Sequence, residues 1–253
     1  FNKFAKEISN TNNILYFSHT DESRKDNLLG VTDMTPNTKG VEELGIGKDA
    51  KINTEELVTK LRNGEIRAMY VMEEDFEDYP EILEQLGNLS FLAVHSYNSN
   101  KKINSLADVV LPASTFAEIE GTYTNLNGRV QHFTPALVTK ENFRYMGMKM
   151  SRLDKFGADN DRWTNHEIRD SKQSWKILQN IARELGKDWN YTKSSQIFDE
   201  IASNITNFND MDYNKLDEYQ GLELGKGNNP DPKYVNYVSH YMKPQLTQKV
   251  VKY

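Results

Sequence analysis

Cysteine is absent from all 253 residues. Disulfides, thiolate zinc sites, cysteine nucleophiles and cysteine-held iron–sulfur clusters are therefore excluded from these residues. Long apolar runs are missing too. The longest, Ala107–Ala113 (ADVVLPA) and Leu89–Val94 (LSFLAV), are too brief to span a bilayer. The start, FNKFAKEI, has neither the basic region nor the apolar stretch of a secretory signal. An excess of positive charge is lacking as well: 31 Lys and Arg against 37 Asp and Glu leave a formal charge of −6, which argues against non-specific nucleic-acid binding. No two of His19, His95, His132, His166 and His240 stand three or four residues apart, so a zinc or non-haem iron site would have to be assembled from distant parts. No internal repeat is present.

What remains is a polar chain with enough aromatics, 11%, to build a core. Its mean hydropathy is −0.74. The opening FNKFAKEI carries no initiator Met and reads as an amphipathic helix already under way, so the chain is expected to be part of something larger. The missing signal and missing cysteines suggest an intracellular setting.

Residues 1–150 alternate short apolar runs with helical patterns. Ile14–Phe17 is a candidate buried strand, and Gly40–Leu44 a short helix. Thr54–Arg62 (TEELVTKLR) is a helix: Asn53 or Thr54 can cap it, Glu55 and Glu56 suit its first turn, and Asn63-Gly64 stops it. Arg67–Met72 reads as a strand. Pro80–Leu86 is a helix with Pro at its first position, and Leu89–Val94 and Val109–Leu111 are further strands. Strand–helix alternation with short links predicts an α/β fold with a mainly parallel sheet flanked by helices. Continuous apolar strands suggest that both sheet faces are covered. Asn127-Gly128 between two β-prone stretches predicts a small hairpin over 121–133.

Residues 151–253 read as a helical and irregular extension. Lys140–Ser171 shows no sustained period and is expected to be a long loop held by contacts. Ser174–Leu185 is the strongest helix, with Ser171 or Ser174 as its cap and a stripe of Trp175, Leu178, Ile181, Ala182 and Leu185. Ser195–Ile205 is a second amphipathic helix. From Thr206 to Tyr253 the chain is expected to be an irregular strap.

Several stretches invite chemical readings. Gly45-Ile46-Gly47-Lys48 fails the phosphate-loop pattern, because Asp49 follows the Lys and position 42 is Glu; a helix cap and loop is the simpler reading. Glu73-Glu74-Asp75 follows a predicted strand. It could hold a ribose hydroxyl or a divalent ion, but a solvated acidic loop is the favoured reading, and Asp159–Asp161 is a second such cluster. His95 ends a predicted strand, where open α/β sheets receive ligands, although a single His there is more often structural than catalytic. No Ser–His–acid set is visible. Ala107–Gln131 (ADVVLPASTFAEIEGTYTNLNGRVQ) is the most distinctive stretch. Its hydroxyl and amide side chains could line a cofactor pocket. Equally, Glu118 and Arg129 could pair and tie the hairpin to the sheet.

That stretch resembles the segment "ADVVLPAATFAE-DGT-TN-EGR-Q" of the molybdopterin oxidoreductase superfamily, which includes formate dehydrogenases, nitrate reductases and a large subunit of respiratory complex I. The matching residues include Ala107, Asp108, Leu111, Pro112, Phe116, Ala117, Glu118, Gly121, Thr122, Asn125, Gly128, Arg129 and Gln131. Asn37–Val41 with Leu44-Gly45, Ile66–Asp75, Trp175–Gly186 and Ile197–Ile201 also resemble family segments in order, over roughly residues 35–210. Gly128 before Arg129, and the short polar tail after Gly221, resemble the C-terminal region of the large peripheral-arm subunit of NADH:quinone oxidoreductase (respiratory complex I) more than the catalytic members.

That resemblance implies a third domain of the molybdopterin oxidoreductase kind acting as a non-catalytic scaffold. No cofactor is then expected in this region, and the iron–sulfur clusters would sit in an N-terminal part of the same subunit. The implied partners are that part and neighbouring peripheral-arm subunits. The implied place is the cytoplasmic or mitochondrial matrix face, peripheral to the inner membrane but not inserted in it. Glu118, Gly128 and Arg129 would hold the fold. The alternative is a fragment of an active molybdopterin-dependent enzyme such as a formate dehydrogenase. Asn37, Gly40, Gly121, Thr122, Asn125 and Arg129 would then be candidates to contact the pterin dinucleotide.

Overall fold

A computed structural model describes residues 1–17, 20–26, 30–46, 53–137, 139, 141 and 170–226. Most of the expected loop at 140–171, the division at 150, the strap beyond 226, Lys48, and His19, His166 and His240 lie outside the described residues. In chain order the helices are α1 (Asn2–Glu7), α2 (Thr38–Glu43), α3 (Thr54–Arg62), α4 (Pro80–Leu86), α5 (Lys102–Leu106), α6 (Ser174–Glu184), α7 (Ser194–Asn204) and α8 (Tyr213–Tyr219). The strands are β1 (Ala68–Met72), β2 (Phe91–Ser96), β3 (Val109–Pro112), β4 (Gly121–Thr124), β5 (Arg129–Phe133) and β6 (Leu222–Glu223).

β1, β2 and β3 form a parallel sheet in that order, the mixed α/β architecture expected from the alternation of patterns. The side-chain period of two puts Leu92 and Val94 on one face and Ala93 and His95 on the other. On the first face Leu57, Val58 and Leu61 of α3, Ile82 and Leu86 of α4, and Ile103 of α5 close one core with Val71, Phe76, Leu92 and Val94. α3 begins as its sequence dictates: the Asn53 side chain accepts from the Glu55 and Glu56 amides, and both acids lie in the first turn. On the other face, Phe4 of α1 packs against Tyr70 at 5.5 Å between ring centroids. Lys3 holds α1 to α7 by donating to Glu200 at 2.8 Å and to the Tyr191 hydroxyl at 2.7 Å.

A second core joins the hairpin to the C-terminal helices. Val130 of β5 packs with Phe198 and Ala202 of α7, Leu216 of α8, Leu222 of β6, and Phe208 and Met211 between them. β4 and β5 are antiparallel, and β6 adds a third strand through Arg129↔Glu223 and Val130↔Leu222.

Several expectations need correction. Ile14–Phe17 is not a strand: only Tyr16 makes a bridge, and Phe17 is held by ring contacts to Phe76 and Tyr79. Side-chain packing absorbed the apolar run without a ladder. α6 is not capped by Ser171 or Ser174; Gln173 occupies the cap position without a side-chain bond. Ser171 points to Glu118 instead and Ser174 to Glu73. The buried face of α6 includes Ile177, Leu178, Gln179 and Ala182, whereas Leu185 is 62% exposed. The chain after Thr206 is not simply irregular, because it forms a 3-10 turn at Thr206–Phe208, then α8 and β6. Nor are both sheet faces fully covered: Val109 and Val110, adjacent residues of β3 on opposite faces, are both exposed. Among the described residues no helix is long and apolar enough to cross a membrane.

Candidate functional site

The motif hairpin turns through Asn125–Gly128. The Asn125 amide donates to the Arg129 carbonyl and the Gly128 amide to the Asn125 carbonyl, each at 2.9 Å. The Asn125 side chain accepts from the amides of Asn127 and Arg129 at 3.0 and 2.9 Å. Gly128 sits at φ +79°, where a side chain would be strained, which explains the Asn-Gly signal. Asn37 precedes α2 but does not cap it. Its Oδ1 accepts from the Thr124 amide of β4 at 2.8 Å. Gly40 makes this possible, because a Cβ there would lie 2.3 Å from Asn37 Oδ1.

Arg129 is buried, 7% exposed. Its Nη2 donates to the carbonyls of Tyr219 at 2.9 Å and Gln220 at 3.2 Å, and its Nε to Gln220 at 3.3 Å. These carbonyls end α8, where the last turn lacks internal partners and the helix dipole favours a cation. Gln220 and Gly221 reach that position at φ +54° and +113°. A Cβ on Gly221 would meet the Val130 carbonyl at 2.6 Å.

Glu118 lies elsewhere, on the loop after β3. It accepts from the Thr115 amide at 2.8 Å and from the Ser171 hydroxyl at 3.4 Å, and Ser171 in turn meets Ser114 at 3.1 Å. An ion pair between Glu118 and Arg129 is not found among the described residues, because the guanidinium faces the end of α8. So the structure brings Asn37, Gly40, Gly121, Thr122, Asn125, Gly128 and Arg129 together around the hairpin and places Glu118 apart from them.

At the carboxyl ends of the parallel strands, where open α/β sheets receive ligands, stand Glu73 and His95. Glu73 directly follows β1 at φ +61°, its amide donates to the His95 carbonyl at 3.1 Å, and its carboxyl accepts from the Ser174 hydroxyl. Burial pushes the Glu73 carboxyl up, and the Ser174 bond only partly offsets this. His95 is 1% exposed, with Nε2 2.6 Å from the Tyr70 hydroxyl and Nδ1 without a hydrogen-bond partner. Burial lowers its pKa to about 4, so the ring is neutral at pH 7. The acidic run Glu73-Glu74-Asp75 is not a simple solvated loop. Glu74 accepts from the amides of Asp75 and Phe76, both at 3.1 Å, and Lys101 bridges Asp75 and Glu77, both at 2.8 Å. Among the described residues no three His, Asp or Glu side chains are grouped to hold a metal.

These contacts bear on whether the hairpin could grip a pterin dinucleotide. Asn37 Oδ1, Asn125 Oδ1 and the Arg129 guanidinium are engaged within the protein, and Gly121 and Thr122 lie in the β4–β5 ladder. These acceptors and the guanidinium already serve the fold. Glu73 stands at the ligand-receiving end of the sheet, with its carboxyl bonded to the Ser174 hydroxyl although the residue as a whole is exposed. The sequence signal for the end of α8 is Gly221, closing a helix that opens on a capping Asp212.

The fold and site define an open α/β domain whose motif hairpin is locked to a C-terminal helical layer. The family profile "Molybdopterin oxidoreductase" matches residues 3–145, more than half of the chain, and the chain belongs to that family. Three relatives carry names beginning "Putative formate dehydrogenase". One, from Staphylococcus aureus, is 29% identical over 187 residues, covering 72% of this chain and 16% of the relative. One from Bacillus subtilis is 28% identical over 201 residues, 77% of this chain and 18% of the relative. One from Staphylococcus haemolyticus is 28% identical over 172 residues, 66% and 14%. The chain thus spans less than a fifth of the length of these relatives.

Proposed function

We propose that this chain is the α/β portion of a molybdopterin-dependent oxidoreductase acting on formate. The observation that supports it is the shared naming of relatives aligned across two thirds or more of the chain. This favours the catalytic alternative over the complex I scaffold. The short tail after Gly221 loses its weight as an argument for the scaffold, because the chain covers so little of its relatives. On this reading the cofactor would supply two-electron redox chemistry. This chain would contribute the rigid sheet, with Glu73 as a hydrogen-bond acceptor at its ligand-receiving end. The hairpin residues Asn37, Asn125 and Arg129 would shape the domain rather than touch the cofactor.

The scaffold reading keeps one observation in its favour, the internal use of those same polar groups. The two separate in the full-length protein made in a host that synthesises the cofactor. Stoichiometric molybdenum or tungsten and formate-dependent dye reduction support the enzyme. A folded protein with neither metal nor formate oxidation overturns it in favour of the scaffold. Substituting Glu73→Gln in the active protein should weaken cofactor retention while leaving the fold intact.

A further inference from the structure

His132 lies on β5 between two carboxylates from different elements. Its side chain is 5% exposed and stacks on Tyr213 of α8 at 4.0 Å between ring centroids. Nδ1 is 2.8 Å from Asp217 Oδ1, also on α8. Nε2 faces Glu120 Oε1, just before β4, at 3.6 Å, and is buried without a hydrogen-bond partner. The other Glu120 oxygen accepts from the Ser194 hydroxyl at the start of α7, at 2.6 Å. A neutral imidazole carries one N–H, so one of its nitrogens must turn a lone pair toward a carboxylate. The imidazolium presents an N–H to each. The arrangement has the shape of a cation site that the ring fills only when protonated.

We propose that His132 is a proton-operated latch holding α8 and β6 against the motif hairpin. Protonated, it bridges Glu120 and Asp217 and draws three elements together. Deprotonated, it leaves one ring nitrogen unmatched between the Glu120 carboxylate and the largely exposed Asp217. Arg129 keeps its own bonds to the end of α8, so loss of the His132 proton loosens the layer without releasing it. Burial opposes the charge, but the two carboxylates outweigh it and hold the His132 pKa above its ordinary value. The ionisable groups facing the ring among the described residues are Glu120, Asp217 and Tyr213. Asp199 acts on Tyr213 from α7. The latch is independent of the redox reading.

Hydrogen exchange at pH 5.5 and pH 9, corrected for intrinsic rates, tests it on this chain. Opening of α8 and β6, measured against β1 and β2, should rise with pH. Each pH unit by which the folded His132 pKa exceeds the unfolded one appears as up to about tenfold in that opening. His132→Gln should abolish the dependence, and Asp217→Asn should reduce it. Absence of a pH dependence in the unaltered chain, or an unchanged one in His132→Gln, overturns the latch. If His132→Gln does not fold, Asp217→Asn and the NMR titration of His132 decide. An unchanged dependence in Asp217→Asn, or a titration midpoint at or below 6.5, overturns it as well.

Discussion

Replacing His95 by Gln should remove a large part of this chain's sensitivity to acid. His95 is 1% exposed, and the imidazolium, with an N–H on both nitrogens, would have no acceptor at Nδ1. The folded state therefore resists the proton until about pH 4, while the unfolded chain takes it up around 6.5. For a depressed folded pKa the stability is intact above 6.5 and is lost as pH falls toward 4. At about 1.4 kcal/mol per pH unit the loss reaches about 3 kcal/mol by pH 4. Urea unfolding of both proteins at several pH values from 7.5 to 4 measures it. His95→Gln adds its own constant offset, so only the difference in slope is read, and carboxylates common to both proteins cancel. His132 acts with the opposite sign and cancels too. Equal slopes for the two proteins across that window would refute the reasoning. It would mean that acid opens the sheet face and lets water reach the ring.

Arg129→Ala should destabilise by about 1–3 kcal/mol, because it removes a buried guanidinium and leaves the Tyr219 carbonyl without its side-chain donor, while the Gln220 carbonyl keeps only Gln131; thermal unfolding checks it, and Arg129→Lys should recover only part. Gly40→Ala forces a Cβ within 2.3 Å of Asn37 Oδ1, so it should cost about 1–3 kcal/mol. In a double-mutant cycle with Asn37→Ala the two effects should be clearly less than additive. Gly221→Ala combines φ +113° with a backbone clash and should destabilise more than Gly64→Ala, where φ is +70° but nothing lies within 4 Å; chemical denaturation of both variants compares them. Ile82→Ala empties a fully buried position of the first core and should cost about 2–5 kcal/mol, measured the same way.

Local rules were legible wherever the sequence supplies its own partners. Asn53, Glu55 and Glu56 start α3, Pro80 starts α4, and Asn127-Gly128 turns the hairpin, because each acts on backbone within a few residues. α5 was missed because five residues, KINSL, are too few to show a period. β6 was missed because a two-residue strand exists only through the ladder that receives it. Of the motif residues, sequence could say that Asn125 and Gly128 belong to a turn. It could not say that Asn37 bonds to Thr124 across 87 residues, or that Arg129 faces α8 rather than Glu118.

The two described histidines mark the same division. The sequence by itself determined the parallel α/β order and the hairpin, which follow from apolar period and turn chemistry, and its motif residues carry the likeness to the family. It left His95 and His132 alike, each ending or lining a strand. Tertiary structure made them opposites. One ring is closed into an apolar face with a tyrosine and no acid, and is held neutral. The other is set between carboxylates, one of them 85 residues away in sequence, and is drawn toward the charged form. The protonation of a side chain depends on what surrounds it in space, and only folding brings those surroundings together.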